Sequence, residues 1–208
     1  MKLQISFDIT NLDEALAIAK KIDPYCDQFE IGSVMLYQYG VHAIKEFRKI
    51  FPDKILVADT KIIDRGDEII KIIASAGADW ISVMGGTNKN VLYTVGRAAE
   101  NYKIKVMVDL IDASSPGQTA MEAQGFGADT ILMHKPHDEG ESLEFLDQWD
   151  LVRGNTKLPV FIAAQITRDN VQQIIKLKPD GIVVGHAITK AENPLQEAKF
   201  FYNLCQKA

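Results

Sequence analysis

Eight short apolar runs, each followed by a longer amphipathic stretch, constrain the fold of this chain more than any other feature. The runs cover residues 3–7, 28–31, 55–58, 80–84, 106–110, 130–133, 159–163 and 181–184. They are rich in Val and Ile with little polar alternation, the pattern of strands buried on both faces of a parallel sheet. Parallel strands need crossovers, and the intervening stretches read as helices. In Leu12–Ile22, for example, Leu12, Ala15, Leu16, Ala19 and Ile22 fall on one face. Asn11 stands where an N-cap is wanted, with Glu14 three residues on as in a capping box.

Helix ends are punctuated in the same way. Ala74-Ser75-Ala76-Gly77-Ala78-Asp79 and Gln124-Gly125-Phe126-Gly127-Ala128-Asp129 each carry a glycine suited to the left-handed turn that ends a helix. Pro179-Asp180-Gly181 does similar work before the last run. Strand–helix alternation fits either a closed barrel or an open doubly wound sheet. The barrel is favoured because polar residues recur at the carboxyl ends of many runs, not at one switch point. At 208 residues, with no linker or low-complexity stretch, the expectation is one (β/α)8 TIM barrel over residues 1–208.

Charge and composition narrow the partners. A net charge of -5 argues against nucleic acid or an anionic membrane, which select clustered Lys and Arg. No apolar run approaches the roughly 18 residues of a membrane helix, and charge in the first residues argues against a signal peptide. Cys26 and Cys205 read as incidental thiols in a reducing compartment, so a cytoplasmic protein is expected.

Side chains at the carboxyl ends of barrel strands converge on one mouth. Here those ends supply Asp8, Glu30, Asp59 with Lys61, Asp109, His134 and the turn at Gly185. One Asp ending a strand is ordinarily a helix cap; five polar strand ends are too many for that. Asp59-x-Lys61-x-x-Asp64 is the strongest local signal, since it follows the buried run at 55–58. On an extended segment Asp59 and Lys61 point to the same side. A lysine held between carboxylates keeps its proton and can stabilise negative charge on a substrate oxygen.

That motif resembles the one that defines the orotidine 5′-monophosphate decarboxylase suprafamily. Within it, the whole chain is similar to 3-hexulose-6-phosphate synthases and 3-keto-L-gulonate-6-phosphate decarboxylases. Met1-Lys2-Leu3-Gln4, Glu30-Ile31-Gly32, Asp59-x-Lys61-x-x-Asp64, Val108-Asp109-Leu110-Ile111, His134 and Val183-Val184-Gly185-His186-Ala187-Ile188-Thr189 fall in family order. The resemblance implies a ribulose-phosphate-binding barrel in which Glu30 and Asp59 bind Mg²⁺ and Lys61 adds a second positive charge. His134 would move protons at the reacting carbon. Asp64 would reach into a neighbouring subunit's site, which implies a homodimer with shared sites.

The resemblance leaves the reaction between two branches. A synthase adds the 1,2-enediolate of D-ribulose 5-phosphate to formaldehyde; a decarboxylase unmasks a similar enediolate by losing CO₂. Asp109 favours the synthase, because the decarboxylases carry Glu there. His137 stands where the decarboxylases have Arg and fits neither branch. Asp8 and the loops at Ala164, Gln165, Gly185 and His186 would bind the sugar phosphate. Two departures are plain. Ala164-Gln165 replaces a Gly-Gly pair, although the Gln165 amide could donate to phosphate, and His186 replaces the usual Gly or Arg. Arg65 also stands where relatives have a small residue. These departures motivate a third reading, a non-catalytic sugar-phosphate-binding barrel; retention of Glu30, Asp59, Lys61, Asp64 and His134 speaks against it.

Overall fold

The computed structural model describes residues 1–139 and 143–207. Its strands are β1 (Lys2–Phe7), β2 (Gln28–Ile31), β3 (Ile55–Ile62), β4 (Trp80–Met84), β5 (Lys105–Asp109), β6 (Thr130–His134), β7 (Val160–Ala163) and β8 (Gly181–Val184). All pairings are parallel, and β1 joins both β2 and β8, closing an eight-stranded barrel in sequence order. The helices are α1 (Leu12–Ile22), α2 (Ser33–Tyr39), α3 (Val41–Ile50), α4 (Gly66–Ser75), α5 (Lys89–Tyr102), α6 (Pro116–Ala123), α7 (Trp149–Gly154), α8 (Val171–Lys176), α9 (His186–Thr189) and α10 (Pro194–Lys207). Among the described residues, no helix is long and apolar enough to cross a membrane.

Alternation along each strand sorts the residues into two layers. Leu3, Ile5 and Phe7 of β1 point outward into the core shared with the helices, where Phe7, Phe29, Phe47 and Phe51 pack in edge-to-face and tilted pairs. The Phe29 and Phe51 ring centres are 5.1 Å apart, inside the favourable range for aromatic pairs. The inward layer is divided. Met107, Leu132, Phe161, Ala163 and Val183 form a small apolar cluster on the side of β5 to β8. On the side of β1 and β2 the buried interior residues are Gln4, Ser6, Gln28 and Glu30.

The helix ends follow local chemistry. Asn11 accepts from the Glu14 amide at 3.1 Å, satisfying one of the donors that a helix start leaves over. Gly77 ends the turn after α4 at φ +100, and its carbonyl accepts from Arg48 Nε at 2.8 Å.

The amino-terminal end of the barrel carries a device repeated four times. Asp27, Asp79, Asp129 and Asp180 each stand one residue before an even-numbered strand and accept from a backbone amide of the preceding odd-numbered one. The donors are Leu3, Leu56, Val106 and Val160, at 2.8–2.9 Å. Each aspartate's own N–H returns a bond to the carbonyl of the same residue. Three of these aspartates, Asp79, Asp129 and Asp180, belong to the punctuation read from the sequence, which therefore also clasps strands in pairs; Asp27 adds the fourth.

Candidate active site

The carboxyl ends of the strands surround a cavity of about 1540 Å³ whose lining includes Asp8, Glu30, Asp59, Lys61, His134 and His186. Asp109 lies behind His134 with no exposed surface.

The positions of Asp59 and Lys61 depend on a break in the register of β3. Ala58 pairs with Ile81 and the next pairing is Ile62 with Val83, so two extra residues bulge from β3. Lys61 adopts φ +45 within it, rather than the extended backbone expected from the sequence. Left-handed backbone costs a non-glycine residue about 1–2 kcal/mol, and Ser82 supports the conformation. Its hydroxyl accepts from the Lys61 amide at 2.9 Å and donates to Asp59 Oδ1 at 2.7 Å. Thr60 Oγ1 donates to the Ser82 carbonyl at 2.7 Å. Sequence reasoning missed Ser82. Its signal was a lone hydroxyl within an otherwise apolar run.

Lys61 Nζ lies 2.7 Å from Asp59 Oδ2 and 3.6 Å from Asp109 Oδ2. Burial works against its charge, but Asp59 and Asp109 outweigh that and hold its pKa above the ordinary lysine value. Asp109 also reaches His134, with Oδ2 2.8 Å from Nδ1, while its Oδ1 accepts from the Ile111 amide at 2.9 Å. An ionised carboxylate only accepts, so Nδ1 carries the hydrogen and Nε2 is the ring's other proton site. Burial would lower the His134 pKa; the charge and hydrogen bond of Asp109 reverse this and leave it raised.

Glu30 is buried beside the acids. Ser6 Oγ donates to its Oε1 at 2.7 Å and Gln4 Nε2 donates to its Oε2. Burial, then the charges of Asp59 and Asp8, push the Glu30 carboxyl up to about 7. No group of three or more His, Cys, Asp or Glu spaced for a metal occurs among the described residues. Mg²⁺ is commonly held by one or two carboxylates, with water and substrate oxygens completing the shell. Glu30 and Asp59 fit that requirement, since a divalent charge would offset the burial and the neighbouring negative charges that raise Glu30.

Asp8 is partly committed elsewhere. Its Oδ1 accepts from the Val34 amide in the first turn of α2 at 3.1 Å, and its Oδ2 lies 3.1 Å from Ser6 Oγ, whose one hydrogen is directed to Glu30. Gly32 leaves room for this carboxylate, since a Cβ there would lie 2.2 Å from Asp8 Oδ1 and force the side chain to move.

The loops after β7 and β8 also depart from expectation. Ala164, Gln165, Gly185 and His186 all line the cavity. Gln165 takes φ +45, the conformation a glycine would adopt without strain. Its side-chain amide, expected to face phosphate, donates instead to the His137 carbonyl. The His137 and His186 rings meet edge to face across the mouth with centres 5.6 Å apart. Asp64 stands apart. It is exposed and lines a separate cavity of about 400 Å³ with Arg65, Glu68 and Asn90, so within one chain it does not join the other candidates. Arg65 Nη1 lies 3.7 Å from Glu68 Oε1.

Comparison with known proteins agrees over nearly the whole chain. The family described as "Orotidine 5'-phosphate decarboxylase / HUMPS family" matches residues 1–201. A 3-hexulose-6-phosphate synthase of Bacillus subtilis (strain 168) is 32% identical over 200 residues, covering 95% of each chain. The crystal structure of 3-hexulose-6-phosphate synthase from Salmonella typhimurium superposes with a TM-score of 0.93 at 30% identity, covering 100% of this chain and 99% of that one. The crystal structure of KGPDC from Streptococcus mutans, solved with a bound sugar phosphate, gives a TM-score of 0.90 at 26% identity, covering 99% and 97%.

Proposed function

The chain belongs to the orotidine 5′-phosphate decarboxylase / HUMPS family, and from that premise we propose that it is a Mg²⁺-dependent 3-hexulose-6-phosphate synthase, an aldolase joining formaldehyde to D-ribulose 5-phosphate. The observation that carries this reading is the shared Asp109 oxygen, which joins His134 and Lys61 into one charged group beside Asp59. It supplies a proton carrier and a fixed cation at the same mouth.

His134 accepts the C1 proton of ribulose 5-phosphate at Nε2, and the electron pair left behind is delocalised as a 1,2-enediolate. Asp109 stabilises the imidazolium formed. Lys61, kept protonated, stabilises the negative oxygen of the enediolate. C1 then forms a bond to the formaldehyde carbon, the carbonyl pair moves to oxygen, and His134 returns its proton there. Glu30 and Asp59 would hold Mg²⁺, which supplies a divalent charge for the substrate's vicinal oxygens. Asp8, Ala164, Gln165, Gly185 and His186 would contact the sugar phosphate, the last two at the start of α9, where backbone N–H groups lack helical partners.

A second reading, a 3-keto-L-gulonate-6-phosphate decarboxylase, is favoured by one observation. A raised His134 pKa suits a proton donor, and in that reaction the enediolate left by loss of CO₂ is protonated. A homodimer is part of both readings. Ile63 is 63% exposed beside Asp64 and Arg65, an apolar side chain that a second copy could cover. Cys26 and Cys205 are free, buried thiols, in keeping with a reducing, cytoplasmic setting.

Proton NMR of D-ribulose 5-phosphate in D₂O tests the proposal. Exchange of one C1 proton that needs Mg²⁺, followed by hexulose phosphate on adding formaldehyde, is expected. Absence of formaldehyde-dependent consumption, with CO₂ release from 3-keto-L-gulonate 6-phosphate, would replace the synthase with the decarboxylase. Binding of the sugar phosphate without any turnover would leave a non-catalytic barrel.

A further inference from the structure

Two residues of the polar half of the barrel interior, Gln4 and Gln28, have no part in the proposed reaction. Gln4 is fully buried and Gln28 nearly so, in a layer where the strands opposite supply Met107, Leu132 and Phe161. Buried amides in such a place are costly unless hydrogen-bonded, so what they bond to is informative. We propose that Gln4, braced by Gln28, is a positioning residue for Glu30 that fixes the carboxylate as a cation ligand. The proposal rests on reading Glu30 and Asp59 as the Mg²⁺ ligands.

The hydrogen bonds run in one direction. Gln28 Nε2 donates to Gln4 Oε1, and Gln4 Nε2 donates to Glu30 Oε2. Because its oxygen is engaged by Gln28, the Gln4 amide is held with its NH₂ toward Glu30. A flipped amide would set oxygen against carboxylate and leave the Gln28 donor facing an NH₂ group. The strand register makes the chain rigid, since Gln4 pairs with Gln28 and Ser6 with Glu30 on β1 and β2. Ser6 Oγ donates to the other carboxylate oxygen at 2.7 Å.

Each carboxylate oxygen has room for about two donors. One position on each is taken from β1, which fixes the plane of the group and leaves the remaining lone pairs for the cavity. Such outer contacts to a metal ligand typically change metal affinity by about 10–100-fold. Neither glutamine lines the cavity, so neither can act by touching substrate.

The experiment is Mn²⁺ binding to the full-length protein without substrate, read by the paramagnetic resonance of free Mn²⁺, alongside thermal melting. Gln4→Met should raise the Mn²⁺ Kd about 10–100-fold, and Gln28→Met should raise it less, in the same direction. A purely structural role would lower Tm without moving the Kd of the folded protein. Folded Gln4→Met with the wild-type Kd would overturn the proposal. Should Gln4→Met fail to fold, Gln28→Met decides, and an unchanged Kd there would overturn it equally. Glu30→Gln separates the two levels. If it binds Mn²⁺ as well as wild type, the metal reading falls and the positioning role with it. If binding needs Glu30 but ignores Gln4 and Gln28, the positioning role alone falls.

Discussion

Asp109 Oδ2 and His134 Nδ1 share a hydrogen bond of 2.8 Å in which the carboxylate has no solvent exposure and the imidazole only a little. The same carboxylate oxygen lies 3.6 Å from the Lys61 ammonium. One buried carboxylate thus holds both the imidazole and the ammonium.

Asp109→Asn keeps the shape and removes the charge. The pH at which His134 releases its proton should fall, because the charge that outweighs burial is gone. Catalysis should fall by about 10²–10⁴. An NMR titration of the His134 ring beside kcat/KM would check both, and an unmoved ring pKa would contradict the coupling.

Glu30 predicts a pH-dependent stability. Its folded pKa is raised to about 7, so between its ordinary range and 7 the folded chain keeps a proton that the unfolded chain has released. Stability therefore falls as pH rises through that window, and the penalty is complete above it. In EDTA, Glu30→Gln should match wild type at pH 4 and exceed it above pH 7 by on the order of 3 kcal/mol. Denaturant melts across pH would measure the difference, and a gap that opened only toward acid would have the wrong sign.

Gln165→Gly tests the loop after β7. It removes the left-handed strain at φ +45 and the bond to the His137 carbonyl. Relief of strain and the added freedom of the unfolded chain nearly cancel, so stability should move by less than about 1 kcal/mol. KM for ribulose 5-phosphate should fall at least about threefold as the backbone gains access to the phosphate. A rise in KM would instead make the Gln165 side chain a substrate contact.

Asp129→Ala addresses the opposite end of the barrel. The Val106 amide loses its 2.9 Å acceptor there, and an unsatisfied buried donor costs about 1–3 kcal/mol. The expected outcome is a lower Tm with unchanged kcat/KM, since this end of a barrel serves stability. Asp129→Asn, which keeps an acceptor oxygen, should recover most of the loss.

Strand order and closure were legible in the sequence because buried parallel strands leave an unbroken apolar signature. Seven of the eight runs end within two residues of their strands, and β3 is the exception. It runs on through Thr60 and Lys61 as far as Ile62, where polar residues hide the strand and a bulge replaces simple alternation. Asp59, Lys61, Asp109 and His134 could be gathered from their positions at strand ends, since the barrel itself brings those ends together. Ser82, Gln4 and Gln28 could not be picked out that way, because they lie inside strands, bonded to partners that only the register reveals. Asp64 lies beyond the register break, in the exposed segment before α4, and adjacency in the motif says nothing of where its carboxylate goes.

The four aspartate clasps also bear on how the chain finds its fold. Each joins residues only 20–24 apart, so each βα unit with its next strand closes a short loop. Loop-closure entropy grows with separation, so these pairs can form early and independently of one another. The β1–β8 seam joins residues from opposite ends of the chain and carries the heaviest closure cost. Glu30 on β2 and the Gly185 turn after β8 stand on either side of β1, so the mouth is incomplete until that seam forms. Partly assembled barrels of this chain would hold their strands in pairs yet be catalytically silent, and activity during refolding would report ring closure rather than secondary structure.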